Sequence, residues 1–383
     1  MPEQTRRETR RILGLICLIL LCGILYAGLH PFHVPENQIS WVKNANAVRF
    51  GDHGTILSSK PFPAPASGKA ERSIEIWLQP GLIVDSNTIL AFYPSDSPRQ
   101  LSLSQSISDF AIRIQPSSAW RGAKAESLYV GDAFLDGKAA LWTVTFAPSG
   151  TAVYRDGALL RISRFSPSNS EFSGQLSVGN SPIYYDSWSG ILQGLAIYDT
   201  ALNQTQIERH FSSWTNEKTP SIAPGDECIA LYLFDEHAGS AIHNRARAGN
   251  DLYIPPKFMI LHQTILDPVW RSFSWSLGFW EDALVNIVGF IPFGFFFCAR
   301  FSALGLRSPA LRAAVLGAGI SALIELTQAK LPTRDSSMSD LICNILGAVL
   351  GASACRGALL ERLDLGLSRV VRVMKGFRVQ PPL

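Results

Sequence analysis

Two tracts of this 383-residue chain are apolar over lengths that a water-soluble domain rarely needs. One runs from Ile12 to Leu29, behind Arg6, Arg7, Arg10 and Arg11, and the other occupies residues 283–360 with short polar breaks. As a helix the first is just long enough to cross a hydrocarbon core of about 30 Å. Between the two lies a polar, turn-rich stretch. The expected organisation is a first membrane span within residues 1–30, a separately folded exported domain at 31–267, and an interfacial helix at 268–282. Three further spans occupy 283–360, and a basic amphipathic cytoplasmic tail closes the chain at 361–383.

Basic residues near spans stay on the cytoplasmic side. The N-terminal arginines therefore place that end inside and export the chain beyond Leu29. A cleaved signal peptide fits poorly. Its apolar core would exceed the usual 7–15 residues or so, no small-x-small site comes after it, and Leu21 before Cys22 is a poor lipoprotein site. The second span, near Leu284–Phe301, meets Arg300, Arg307 and Arg312; the third covers about Ala313–Gln328, and the fourth about Leu341–Leu360. The tail carries Arg362, Arg369, Arg372, Lys375 and Arg378, so both termini are expected inside; only Lys330 and Arg334 dissent. Trp270, Phe273, Trp275, Phe279 and Trp280 resemble an interfacial aromatic belt. A net charge of +3 gives no footing for nucleic acid, and the lipid bilayer is the expected partner. Of the six cysteines only Cys228 lies outside the apolar tracts, so the exported part has no internal disulfide. His210, His237 and His243 show no metal spacing.

Each of the last three spans carries a polar pair at helical spacing: Asp282/Asn286, Glu325/Gln328 and Asp340/Asn344. Residues three or four apart share a helix face. Ionisable groups inside a span are costly and turn toward protein or a water-filled cavity. With spans alternating in direction, all three pairs fall at the same end. Arg334 and Asp335 lie in the link beside them. Pro292 removes a hydrogen bond within the second span. Gly294, and Gly347 with Gly351 at small-x-x-x-small spacing, suit close helix packing.

In the middle region SIEIWL, FAIRI, LWTVTF, TAVY and LAIY alternate as half-buried strands do. Asp156-Gly157, between TAVYR and ALLRI, is a two-residue hairpin turn. These elements predict an all-β sandwich. In the order SIEIWLQP, LWTVTFAPSGTAVYRDGALLR, SVGN, WSGILQGLAIYDTALNQTQIERH, residues 45–215 resemble a laminin-G or concanavalin A-like domain. That resemblance implies a jelly roll binding glycans or proteins. The same fold hosts glycan hydrolases, which need two carboxylates in register. The alternate set Ser73, Glu75, Trp77 supplies one, so a glycosidase is not expected and Glu75 reads as a paired strand residue. Trp120, Tyr184, Tyr185 and Trp188 are candidates for stacking on sugars, with core packing the alternative. Asp132 and Asp156 are calcium-type ligands but sit where turns are expected, and no cofactor is assigned. Residues 216–267 are expected to complete the sandwich, with Pro255 and Pro256 marking the linker.

The last third is similar to the VanZ-like family. It carries D-x-x-x-N-I-V-G-F-I-P-F-G from Asp282, I-E-L-T-Q from Ile324 and R-D-x-x-x-x-D-L-I-C-N-I-L-G-A-V-L-G from Arg334. His30-Pro31-Phe32 resembles the end of that family's first span, which makes the β domain an insertion. The fold class implied is a concanavalin A-like sandwich inserted into an α-helical bundle of about four spans in a bacterial cytoplasmic membrane. Two readings of the polar pairs stand. They either staple the helices with hydrogen bonds and an Arg334–carboxylate pair, or line a cavity in which Arg334 meets an anion and an acid acts as base. The leading expectation is a non-catalytic envelope protein whose sandwich binds glycan or protein, in surface polysaccharide, peptidoglycan or glycopeptide-antibiotic response. The alternative is a membrane enzyme acting on a lipid-linked envelope precursor.

Overall fold

The computed structural model describes residues 3–65, 71–81, 86–94, 100–115, 126–217, 220, 222–246, 250–273, 275 and 277–355. Its helices are α1 (Glu3–Leu29), α2 (Gln204–Asn216), α3 (Val269–Ser272), α4 (Leu277–Ala303), α5 (Pro309–Gln328) and α6 (Met338–Ala354). Two compact units form: Val34–Gln263, and Met1–His33 with Thr264–Leu383. The predicted tail at 361–383 lies outside the described residues.

Val34–Gln263 is a sandwich of two antiparallel sheets. One runs Ile39–Trp41, Val48–Phe50, Gly190–Tyr198, Arg72–Pro80, Ala140–Ala147, Gly150–Arg155, Ala158–Ser163, with Cys228–Tyr232 also on Gly190–Tyr198. The other runs Ala241–Ile242, Leu252–Tyr253, Ile56–Ser58, Gln175–Val178, Ser86–Tyr93, Gln100–Ser106, Asp109–Gln115, Glu126–Val130. Side chains alternate across a strand. Ile74, Ile76 and Leu78 therefore enter the core beside Trp142, Val144 and Phe146, facing Phe92, Leu103 and Phe110 from the other sheet. Trp142 stacks on Phe110 at 5.0 Å. Full burial of such side chains stabilises by about 1.5–3 kcal/mol each. The Asp156-Gly157 turn has φ of 52° and 81°, both positive as a type I′ hairpin needs. Pro255 and Pro256 do not end this unit: Pro256 accepts from Asn37, and Phe258 beyond them is fully buried.

The alternate set Ser73, Glu75 and Trp77 faces away from that core and is covered by α2. This helix opens on a capping box in which the Asn203 side chain accepts from Gln206 N–H and Gln206 Oε1 accepts from Asn203 N–H. Ile207, His210 and Trp214, at helical spacing, form its buried face.

In the second unit, three helices are long and apolar enough to cross a membrane: Arg6–Leu29, Leu277–Ala303 and Pro309–Gln328. The fourth apolar helix is Met338–Ala354, and residues 356–360 of the expected span lie outside the described residues. Residues 268–282 do not make one interfacial helix. The helix stops at Phe273, whose extended backbone returns its ring onto Phe279, and Phe279 and Trp280 belong to α4. α4 continues through Pro292. At one end of the bundle Arg10 donates to the Ala303 carbonyl at 2.7 Å and Arg300 to that of Arg10. α4 and α6 touch backbone to backbone. A Cβ on Gly294 would meet the Ala348 oxygen at 2.0 Å, and one on Gly351 the Ile291 oxygen at 1.9 Å. Gly347 is held likewise against Ile287.

Candidate functional site

Asp282 and Asn286 lie in the first turns of α4, Glu325 and Gln328 in the last turn of α5, and Asp340 and Asn344 in the first turns of α6. All six, with Arg334 and Asp335 of the α5–α6 link, line one cavity of about 630 Å³. Ile24, Ala27 and Gly28 of α1 contribute another wall. The link is itself anchored: Leu266 N–H donates to Ser336 Oγ at 3.0 Å, and Met338 N–H to the Asp267 carbonyl at 3.0 Å.

Glu325 is 2% exposed, and its Oε2 accepts from Ser337 N–H at 2.8 Å. Asn286 hydrogen-bonds Asp340, and Asp282 and Asp335 lie close enough to act on the same carboxyl. Gln328 Nε2 donates to the Gly28 carbonyl at 2.7 Å and Asn344 Nδ2 to Ser321 Oγ at 3.0 Å. Among the described residues Arg334 pairs with no carboxylate, in place of the expected staple. Its guanidinium donates to the Ala27 carbonyl at 3.4 Å and to that of His30, with Nε at 3.1 Å. The physical reason is the carbonyl end of α1, whose unsatisfied groups and negative dipole attract a cation. Four carboxyl groups thus share a cavity whose one guanidinium is spent on backbone.

Acceptors outnumber donors here. Gln328 Oε1 and Asn344 Oδ1 are buried acceptors without a partner, and the Thr333 hydroxyl, donor as well as acceptor, has none either. Because Gln328 Nε2 is fixed by a carbonyl, its oxygen cannot be exchanged for a donor by turning the amide. The arrangement suits accepting protons or hydrogen bonds from a bound molecule more than gripping an anion. Among the described residues no group of His, Cys, Asp and Glu is placed to hold a metal ion. Sequence reasoning missed Ser321, Ser337 and Thr333. Ser321 stands four residues before Glu325, a same-face spacing that could have found it.

Residues 228–360 match the VanZ/LLP1 family model, and residues 51–208 match that of the concanavalin A-like lectin/glucanases superfamily. The chain joins a VanZ/LLP1 region to a concanavalin A-like domain. The first match opens at residue 228, ahead of the motifs and inside the sandwich. No curated protein matches. Among solved structures, a heptameric SAP-like pentraxin from Limulus polyphemus is 14% identical over 46% of this chain and 81% of its own, with a TM-score of 0.32. A Bacteroides ovatus protein proposed to bind carbohydrate is 11% identical over 60% of this chain and 62% of its own, TM-score 0.37. The botulinum neurotoxin serotype G binding domain is 14% identical over 48% and 47%, TM-score 0.36.

In the concanavalin A-like domain the four proposed stacking residues part company. Trp120 lies outside the described residues. Trp188 is fully buried, donates from Nε1 to Gln105 Oε1 at 2.8 Å and packs on Phe50, so it is a core residue and not a sugar platform. Tyr184 and Tyr185 are 40% and 41% exposed, and Tyr185 stacks on His53 at 5.4 Å. Asp132 and Asp156 both hold left-handed turn positions. Glu75 is buried under α2. Its carboxylate accepts from Tyr198 Oη at 2.6 Å, Trp214 Nε1 at 3.1 Å and Thr143 Oγ1 at 3.4 Å, and lies 3.0 Å from His210 Nδ1. His210 Nε2 in turn meets Asp226 Oδ2 at 3.0 Å. Burial opposes charge on His210, but hydrogen bonds to Glu75 and Asp226 outweigh it and raise its pKa above the ordinary value. Burial also opposes charge on Asp226, yet hydrogen bonds from His210, Gln206 and Arg209 hold it at about 2.

Proposed function

We propose that this chain is a multi-pass protein of the bacterial cytoplasmic membrane, with both termini inside. Its concanavalin A-like domain is exported to bind envelope glycan, and its VanZ/LLP1 region holds a ligand in the acidic cavity without covalent chemistry. The observation that carries this is the convergence of four carboxyls on one cavity whose oxygens outnumber its donors. The orientation is supported by the bundle's two ends: Arg10 and Arg300 meet at one, and the acidic cavity opens at the other. Sugar hydroxyls or a headgroup amine would supply the missing donors, which suits envelope glycan or its lipid-linked precursors.

A second reading is favoured by one feature. Glu325 is nearly inaccessible beside Asp340, the setting in which a carboxyl serves as general base on a lipid-linked precursor. Alanine replacement of Glu325 and Asp340, in cells challenged with a glycopeptide antibiotic, tests the cavity. Loss of the chain's effect with the protein still present in the membrane supports a ligand site. An unchanged response sinks it. Turnover of a radiolabelled lipid-linked precursor by the purified protein would replace the binding reading with the enzymatic one.

A further inference from the structure

The concanavalin A-like domain has a second cavity, of about 300 Å³, on the face that α2 covers. Its walls include Trp77, Trp214, Gln193, Asn46 and Glu217. The two indoles meet edge to face at 6.1 Å. Trp214 is locked, because its Nε1 donates to Glu75. Trp77 is half-buried, and its own indole N–H has no partner among the described residues.

The strand at Gly190–Tyr198 is shaped around this cavity. Its register against Arg72–Pro80 slips between Leu192 and Gly194, leaving Gln193 without a cross-strand partner. Such bulges re-aim a side chain and gather at binding sites. The Gln193 Oε1 oxygen is buried and makes no hydrogen bond. The next residue must be glycine: a Cβ on Gly194 would lie 2.4 Å from the Trp214 ring. The slip, the glycine and the orphaned oxygen thus meet at one indole pair.

We infer that Trp77 and Gln193, with the buried Trp214 as a fixed wall behind Trp77, form a subsite for one neutral pyranose ring of a glycan. This rests on the glycan-binding reading of the domain and names its site. Indole faces offer a broad apolar surface with one donor at the edge, which matches the C–H face and hydroxyl rim of a sugar. Gln193 Oε1 and the Glu217 carboxylate accept hydroxyls. Among the described residues no basic side chain lines the cavity and one carboxylate does, which favours a neutral ring over uronates, sialates and phosphorylated sugars. The volume is at the lower end of the roughly 300–1,000 Å³ usual for small-molecule pockets, which suits a single ring.

The test is calorimetric titration of the full-length protein in nanodiscs with chitotriose, cellotriose, maltotriose and, as the anionic probe, trigalacturonate. At least one neutral trisaccharide should bind and trigalacturonate should not. Trp77→Ala and Gln193→Leu should each weaken binding tenfold or more, while Leu160→Ala, at an exposed position outside the cavity, leaves it unchanged. Near-UV circular dichroism reports whether the fold survives. Should Trp77→Ala unfold, Gln193→Leu decides, since that side-chain oxygen makes no bond the fold needs. Undiminished neutral binding by a folded Gln193→Leu variant overturns the subsite and leaves glycan binding standing. Preference for trigalacturonate overturns the ligand class. No binding of any trisaccharide by the unaltered protein overturns both readings.

Discussion

Each unit of this molecule gathers a cluster of acids around a buried glutamate, Glu75 in one and Glu325 in the other, and the two clusters differ in how their oxygens are matched. Under α2, Glu75 is met by Tyr198, Trp214, Thr143 and His210, and Asp226 by Gln206, Arg209, His210 and the Ala223 N–H. Among the helices, Gln328 and Asn344 each keep an unpaired buried oxygen and the lone guanidinium is turned to α1. A network closed on itself has nothing left to offer a ligand, and its worth is rigidity. One left short of donors stores an unmet demand, because a buried polar atom without a partner costs about 1–3 kcal/mol. The contrast separates a structural clamp from a binding site, although each centres on one buried glutamate.

The same conservative change should therefore act oppositely in the two places. Glu75→Gln removes the charge that Tyr198, Trp214 and His210 surround, and its NH₂ is met only if the Thr143 hydroxyl and His210 Nδ1 turn from donating to accepting. Breaking a buried charged network costs about 3–5 kcal/mol. Hydrogen exchange of α2 amides in the full-length protein should accelerate accordingly. Protection like that of the unaltered chain would mean that the clamp is not what holds α2.

A smaller effect arises from pH. His210 titrates above its ordinary value of 6.5, so its contribution is complete below 6.5 and fades as pH rises through the elevated value. Asp226 titrates at about 2 against 3.8, so its contribution is complete above 3.8 and fades as pH falls toward 2. Protection of α2, corrected for intrinsic exchange, should peak between 3.8 and 6.5, with an acid limb of about 2 kcal/mol. Asp226→Asn should flatten the acid limb. Smaller still, Asn203→Ala removes the cap that accepts from Gln206 N–H at 3.0 Å and should cost about 1 kcal/mol. A loss as large as that of Glu75→Gln would locate the hold on α2 in its cap.

Local rules made much of this legible. Alternation in SIEIWL separates Ile74, Ile76 and the core from Glu75 and the α2 face, and Asp156-Gly157 marks its hairpin by the φ it needs. Helical spacing singles out the pairs that surround one cavity. Long-range partners were not legible. Trp188 reads as a candidate platform because sequence cannot reveal that Gln105, on another strand, takes its N–H. Arg334 reads as a carboxylate partner because the free carbonyls of α1, some 300 positions earlier, leave no local trace. His210 and Asp226 flank a loop, yet only the folded sheet brings Glu75 between them and Tyr198.

An equally small expected effect on stability is also the sharpest use of the comparison. Glu325→Gln keeps an oxygen for the Ser337 N–H that Oε2 accepts at 2.8 Å, and it puts an NH₂ among neighbouring acceptors. Asp340 and the orphaned oxygens of Gln328 and Asn344 belong to the same acceptor-rich cavity. The change should cost about 1 kcal/mol of stability, because the Ser337 N–H keeps its acceptor and only the Ser336 hydroxyl must turn to accept from the new NH₂. Its larger cost falls on the ligand, whose donors now meet one acceptor fewer. Thermal unfolding in nanodiscs should barely move while the response to a glycopeptide antibiotic weakens. Were Glu325→Gln to destabilise the helices as Glu75→Gln destabilises α2, the cavity acids would be a second clamp, and the distinction between the two clusters would collapse.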